Sequence, residues 1–186
     1  MNIFILDNDP VKAAQQQCDK HVPKMIVESA QMLSTAHRML DGTLEKRPSK
    51  SGKRMVNYYK LNDERRENLL YKAVHFNHPC TVWTRESSSN YRWHYEHFTA
   101  LCREYTYRYG KIHKTEKVLG LELGLLPKNI PNKDYTPFKL AMKSNPECMF
   151  EDPIKSYRAF YQTKQHRFNM IWTKREKPRW FNYANI

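Results

Sequence analysis

The stretch SSSNYRWHYEHFTALCREYTYRYG, residues 87–110, decides the fold class. Ser87-Ser88-Ser89-Asn90 supplies side-chain oxygens of the kind that cap a helix N-terminus. Tyr91, His94, Tyr95, Phe98, Leu101, Cys102, Tyr105 and Tyr109 then recur at the spacing of one helical stripe. Gly110 offers the left-handed residue on which helices commonly stop. A ring-rich stripe is either core or a stacking platform; at this spacing it reads as core, with Arg92, Arg103 and Arg108 on the other faces.

Working outward, the same grammar repeats. Asp9-Pro10 reads as a helix start, with Asp9 as the cap and the helix reaching Cys18 or Lys20. A second helix runs from Cys18 to Leu40, with Pro23 in its first turn and Val22, Ile26, Ser29, Leu33, Ala36 and Leu40 inward. Asp41-Gly42 ends it. Further helices are expected over Asn62–His75, from Pro79 through Val82 and Trp83, around Glu116–Leu123, and from Asp152-Pro153 to Trp172 with Ile154, Tyr157, Tyr161, Phe168 and Ile171 inward. Ile3-Phe4-Ile5-Leu6 reads as a short buried strand or an apolar arm. Residues 125–150 read as irregular, tied down by Phe138, Leu140, Met142, Met149 and Phe150. The expected fold is mainly α: a bundle-like domain over residues 1–186, with irregular Pro-rich loops and a short extended N-terminal segment. Residues 43–57, TLEKRPSKSGKRMVN, are expected to form a mobile basic loop, and residues 174–186 a basic, aromatic tail.

Thirty-two Lys and Arg against nineteen Asp and Glu give a net charge of +13. Charge of that size repels itself in the compact state and points to a polyanionic partner, DNA foremost. An anionic membrane surface fits less well, because no stretch is basic on one face and cleanly apolar on the other. No run of about 18 apolar residues spans a bilayer, and Met1–Leu6 lacks the basic start of a signal peptide. Cys18, Cys80, Cys102 and Cys148 show no CxxC spacing, which favours a reducing cytoplasm over a disulfide scaffold.

The chemistry concentrates in Cys18-Asp19-Lys20-His21-Val22-Pro23-Lys24-Met25, where a thiol, a carboxylate, an imidazole and two amines meet at a helix N-terminus. Such an end attracts anions through its N–H groups and dipole. Glu28 lies one turn on, at the margin of the apolar face, where burial raises a carboxylate's pKa unless Lys24 or His21 offsets it. His21, Glu28, Lys24 and Lys20 are therefore the candidate catalytic set, against the alternative of an ordinary helix end with a solvated charge cluster. Cys18, His21, His78 and Cys80 carry the ligand types of a tetrahedral zinc site, against the alternative of buried thiols with polar histidines nearby; no cofactor is required by the sequence. Lys46, Arg47, Lys50, Lys53 and Arg54 are candidate phosphate contacts. Arg158, Lys164, Arg167, Lys174, Arg175, Lys177 and Arg179, interleaved with Tyr157, Phe160, Tyr161, Trp172, Trp180 and Phe181, suit a single-strand groove or a base-flipping site. No Walker, GxGxxG, HExxH or GxSxG motif is present.

CDKHVPKM at 18–25, with Asn90-Tyr91-Arg92-Trp93, Arg108-Tyr109-Gly110-Lys111-Ile112-His113 and Tyr157-Arg158-Ala159-Phe160-Tyr161, resembles an uncharacterised family of tailed-phage proteins. The layout is also similar to the small helical pyrimidine-dimer DNA glycosylases of the phage endonuclease V type. The shared features are an apolar N-terminus leading into a charged helix, an aromatic helix ending in Arg-x-Gly, and the closing Lys177-Pro178-Arg179-Trp180-Phe181. Those enzymes use an N-terminal α-amine as nucleophile with one catalytic Glu. This chain differs on both counts: Asn2 is bulky enough for Met1 to be retained, and no Glu stands at the matching place, where His21 is nearest. The resemblance implies a phage-encoded enzyme of the host cytosol acting on a base or strand of DNA. The alternatives are a non-catalytic nucleic-acid-binding protein and a small regulator of a host protein.

Overall fold

Two long helices set the frame of the computed structural model, which describes residues 1–184. Helix α1 is Pro10–Gln15, and α2, His21–Asp41, packs along α5, Ser88–Tyr109. Short helix α4, Pro79–Glu86, lies against both, and α6, Lys114–Leu123, also packs on α2. Helix α3, Glu64–Leu69, and α7, Pro153–Gln162, complete seven α-helices among the described residues. The fold is mainly α, and no helix is long and apolar enough to cross a membrane.

The capping chemistry is where the sequence places it. Asp9 accepts the N–H groups of Val11 and Lys12, Ser87 accepts that of Asn90, and Asp152 that of Ile154. Gly110 sits at φ 69°, left-handed, and closes α5 on Thr106. Tyr91, His94, Phe98, Leu101 and Cys102 are buried as expected, whereas Tyr109 at the end of the stripe is exposed.

Several expectations are corrected. Helix α1 stops at Gln15 rather than at Cys18 or Lys20. Residues 43–57 do not form an irregular loop: β1, Thr43–Pro48, pairs antiparallel with β2, Met55–Lys60, in the register Leu44↔Tyr59 and Lys46↔Asn57. Gly52 at φ 70° turns the hairpin, and the Arg47 guanidinium stacks 3.5 Å from the Tyr58 ring. Helix α3 stops at Leu69 rather than His75. Its C-terminal carbonyls go to Arg38, which donates to Glu67 O (2.8 Å), Leu70 O (2.9 Å) and Tyr71 O (2.7 Å), and residues 70–78 continue as a non-helical strap. Helix α7 stops at Gln162, followed by a 3-10 turn, Thr163–His166, and Ile171 is exposed. Arg108 is buried, donating to Gln15 O, Gln17 O and Asp19.

The N-terminal segment is an arm without strand pairing. Ile3, Phe4, Ile5 and Leu6 are buried in the main hydrophobic cluster, with the Phe4 ring beside Tyr161 of α7. Between 125 and 150, Met142 is buried and Phe138 and Leu140 pack on the core, but Met149 and Phe150 are exposed. The C-terminal segment folds back: Phe181 is buried, Trp172 donates to Gln16 O and Trp180 to Gln16 Oε1. Asn185 and Ile186 lie outside the described residues.

Candidate active site

The buried arm delivers the chain's first residues to the N-terminal end of α2. Met1 packs its side chain into the core, with Thr81 Oγ1 3.7 Å from its sulfur. Asn2 donates its backbone N–H to Glu28 Oε2 (2.8 Å), and the Met1 α-ammonium nitrogen lies 3.7 Å from the same oxygen. Lys24 Nζ stands 3.6 Å from Glu28 Oε1, one helical turn away. Glu28 thus faces donors and positive charge rather than an apolar wall.

Around this pair opens a cavity of about 450 Å³. Its floor is aromatic: Phe4 stacks on His21 (4.9 Å between centroids), and Phe168 meets the same imidazole edge-on at 5.3 Å. Phe160 lines it from α7. Its rim carries the exposed Lys20, Lys24 and Arg167, with Lys20 Nζ 4.5 Å from the Phe168 ring centre, while Lys164 lines it from within. The volume falls within the range of small-ligand clefts, about 300–1,000 Å³.

His21 is buried, and burial, followed by the positive charges of Lys24, Lys164 and Lys20, pushes its pKa down to about 3. It is therefore neutral near pH 7. Tyr161 Oη accepts the Cys18 N–H (2.9 Å) and lies 2.7 Å from His21 Nδ1. The Tyr161 hydroxyl has two side-chain partners within reach, His21 Nδ1 and the Cys18 thiol. His21 is thus a buried, neutral imidazole near pH 7. The helix end does less for anions than the sequence suggests: the N–H groups of His21 and Val22 both go to Cys18 O, and Pro23 has none. Attraction for anions here comes from the rim cations.

The zinc alternative finds no cluster of ligands: among the described residues no three His, Cys, Asp or Glu side chains gather to hold a metal. His78 Nδ1 instead caps α4 by accepting the Cys80 N–H at 3.2 Å. The Cys80 Sγ lies 3.6 Å from Tyr157 Oη, and burial pushes its thiol up to about 11; burial also raises Cys18. Neither is a thiolate near neutral pH.

The expected nucleic-acid cations divide. Lys50, Lys53 and Arg54 stand exposed at the hairpin turn, and Arg167 and Arg179 are exposed. Lys46 bonds Asn57 across the hairpin, and Arg47 pairs with Glu45. Arg158 is spent on Leu6 O and Asp7, Arg175 on Glu104, Lys174 on Tyr107 O and Lys177 on Phe181 O. Lys164 belongs to the cavity rather than to an outer surface. Lys20, His21, Lys24 and Glu28, the candidate catalytic set, all line this one cavity. The Met1 nitrogen and the Phe4–Phe160–Phe168 floor were not foreseen, and the apolar Ile3–Leu6 arm was the available signal for them. No protein-family model, curated protein or solved structure matches this chain.

Proposed function

We propose that the protein is a DNA-processing enzyme of the glycosylase/lyase kind, working on a nucleotide drawn out of the helix into the cavity at the start of α2. The observation that carries this reading is the Met1 amine held 3.7 Å from the Glu28 carboxylate in a cleft with an aromatic floor and a cationic rim. Rings stack an extruded base, and cations hold its flanking phosphates. An amine beside a carboxylate can displace the base at C1′ of the deoxyribose. The base leaves with the bonding electrons, Glu28 takes the proton shed by the amine, and the glycosylamine opens to an imine. The pyrimidine-dimer glycosylases also pair an α-amine with one Glu, but this chain matches them at neither place, so the roles of Met1 and Glu28 rest on the cavity itself.

The test is borohydride trapping and strand cleavage on undamaged, UV-irradiated and abasic oligonucleotides, with the N-terminal mass of the protein measured alongside. A covalent protein–DNA complex on a damaged substrate is expected. No complex and no cleavage on any of the three, with a free Met1 amine, would remove the reading. The second reading, non-catalytic nucleic-acid binding, is favoured by the exposed Lys50, Lys53 and Arg54 at the hairpin turn. It predicts steep salt dependence without turnover.

A further inference from the structure

The cavity holds two amines of unlike character. The Met1 amine faces the Glu28 carboxylate. Lys164, in the 3-10 turn after α7, does not: its side chain is drawn inward, the residue is 8% exposed, and Nζ lies 3.4 Å from the Phe160 ring centre and 6.0 Å from that of Phe4. The charged and titratable groups acting on it are Arg167, Lys24 and the Cys148 thiol, none of them a carboxylate, and it in turn acts on His21. The ring faces favour the ammonium form, but desolvation and neighbouring cations work against it, and a lysine so placed loses its proton readily.

We propose that Lys164 is itself an imine-forming amine, whose ligand is an aldehyde on a phosphate-bearing sugar, such as the ring-opened C1′ of an abasic deoxyribose. The neutral ε-amine adds to the carbonyl carbon, the carbinolamine loses water, and an imine to Nζ results. Arg167, Lys24 and Lys20 on the rim take the flanking phosphates, and Phe160 shields the bond from solvent. Burial, then Arg167 and Lys24, bring the lysine's pKa down to about 8, so an appreciable neutral fraction exists near neutral pH. The identity of the aldehyde rests on the function proposed above; the reactivity of Lys164 does not.

The experiment incubates the full chain with an abasic oligonucleotide and cyanoborohydride between pH 6.5 and 9.5, then digests the adduct and locates it by mass spectrometry. Hydride from the reagent reduces the imine to a stable secondary amine at the modified nitrogen. The adduct is expected on Lys164, with a trapping rate that rises to half its maximum near pH 8. Lys164→Arg keeps the charge and should lower trapping at this site at least tenfold with unchanged thermal stability; Lys164→Gln serves as the second variant. An adduct confined to Met1 overturns this proposal while leaving the glycosylase reading intact. An adduct on Lys164 with the abasic oligonucleotide, when undamaged and UV-irradiated oligonucleotides incubated in parallel lose no base and trap nothing at Met1, upholds it while overturning the reading of Met1 as the base-displacing amine. An adduct spread over exposed lysines such as Lys50 and Lys53, or no adduct at all, overturns it.

Discussion

At the scale of the residue, Glu28 is the side chain on which most depends. It receives the Asn2 N–H and faces the Met1 and Lys24 amines, so it both anchors the arm and stands beside the reacting amine. Glu28→Gln preserves the shape and an accepting oxygen for Asn2 but cannot take a proton. Turnover on a damaged oligonucleotide should fall ~100-fold or more, as for other general-base losses, while DNA affinity stays within a few-fold and the melting temperature is held. Full activity in this variant would make Glu28 an anchor only. His21 has a different profile. Buried and neutral, with a pKa pushed down to about 3, it contributes no ionisation near neutrality, so any bell in the pH–rate profile should survive His21→Gln. A limb that disappears in that variant would contradict the neutral state of the buried ring.

At the scale of the element, the hairpin and α3 are held to α2 by Arg38. Its guanidinium is buried and donates to Tyr59 O, Glu67 O, Leu70 O and Tyr71 O, besides pairing with the Glu67 carboxylate at 2.6 Å. Arg38→Met fills similar space but takes the side-chain donor from four carbonyls and leaves the Glu67 carboxylate, still bonded by Tyr58 Oη and the Leu61 N–H, without its cation. Chemical denaturation should register a loss of roughly 3–5 kcal/mol, the usual cost of breaking a buried charge network. The exposed turn of the hairpin allows the opposite experiment. Replacing Lys50, Lys53 and Arg54 together by Ala should leave stability unchanged and reduce the slope of log affinity against log salt by roughly 2 to 3, at about 0.9 per lost phosphate contact on duplex DNA. An unchanged slope would take the hairpin off the DNA. The elements differ in how legible they were. The starts of α1, α4 and α5 and the stop of α5 announce themselves because caps and stops are local chemistry: Asp9, Pro79, Ser87 and Gly110 act on their own neighbours, whereas α1 ends at Gln15, short of the expected Cys18 or Lys20. Helix α3 was overextended because its end is imposed from outside, by Arg38 reaching its carbonyls from a distant helix. The hairpin was read as loop because Lys and Ser dominate its turn, although Met55-Val56-Asn57-Tyr58-Tyr59 has strand-forming residues. The candidate site was half legible. His21, Lys24 and Glu28 share one helix, whereas Met1 and Lys164 join them only through burial of the arm against α7.

At the scale of the whole molecule, buried neutral histidines tie stability to pH. Burial depresses His21 to about 3, and His37 and His97 each to about 4. The unfolded chain binds those protons near pH 6.5 and the folded chain does not, so the contribution is complete above 6.5 and declines as pH falls from there toward the folded values. Asp41 and Glu67, both lowered, push the same way at more acid pH. The free energy of unfolding should therefore fall between pH 7 and about 5.5 by roughly 1 kcal/mol per histidine, seen as a falling melting temperature, and more gently in His37→Gln once its lower baseline is subtracted. A melting temperature flat over that range would mean that these rings accept protons in place. The burial of the arm has a consequence in time as well. Leu6 O is held by Arg158, a residue 152 positions later, and Phe4 rests on Tyr161. At ~5–20 residues per second, a ribosome needs roughly ten to thirty seconds between making the arm and making the helix that covers it. During that interval Ile3-Phe4-Ile5-Leu6 is a nascent apolar segment without its partner. The amine and the carboxylate meet in their finished pocket only when α7 has left the exit tunnel, so a prematurely released chain would carry the parts of the site without the enclosure that assembles them.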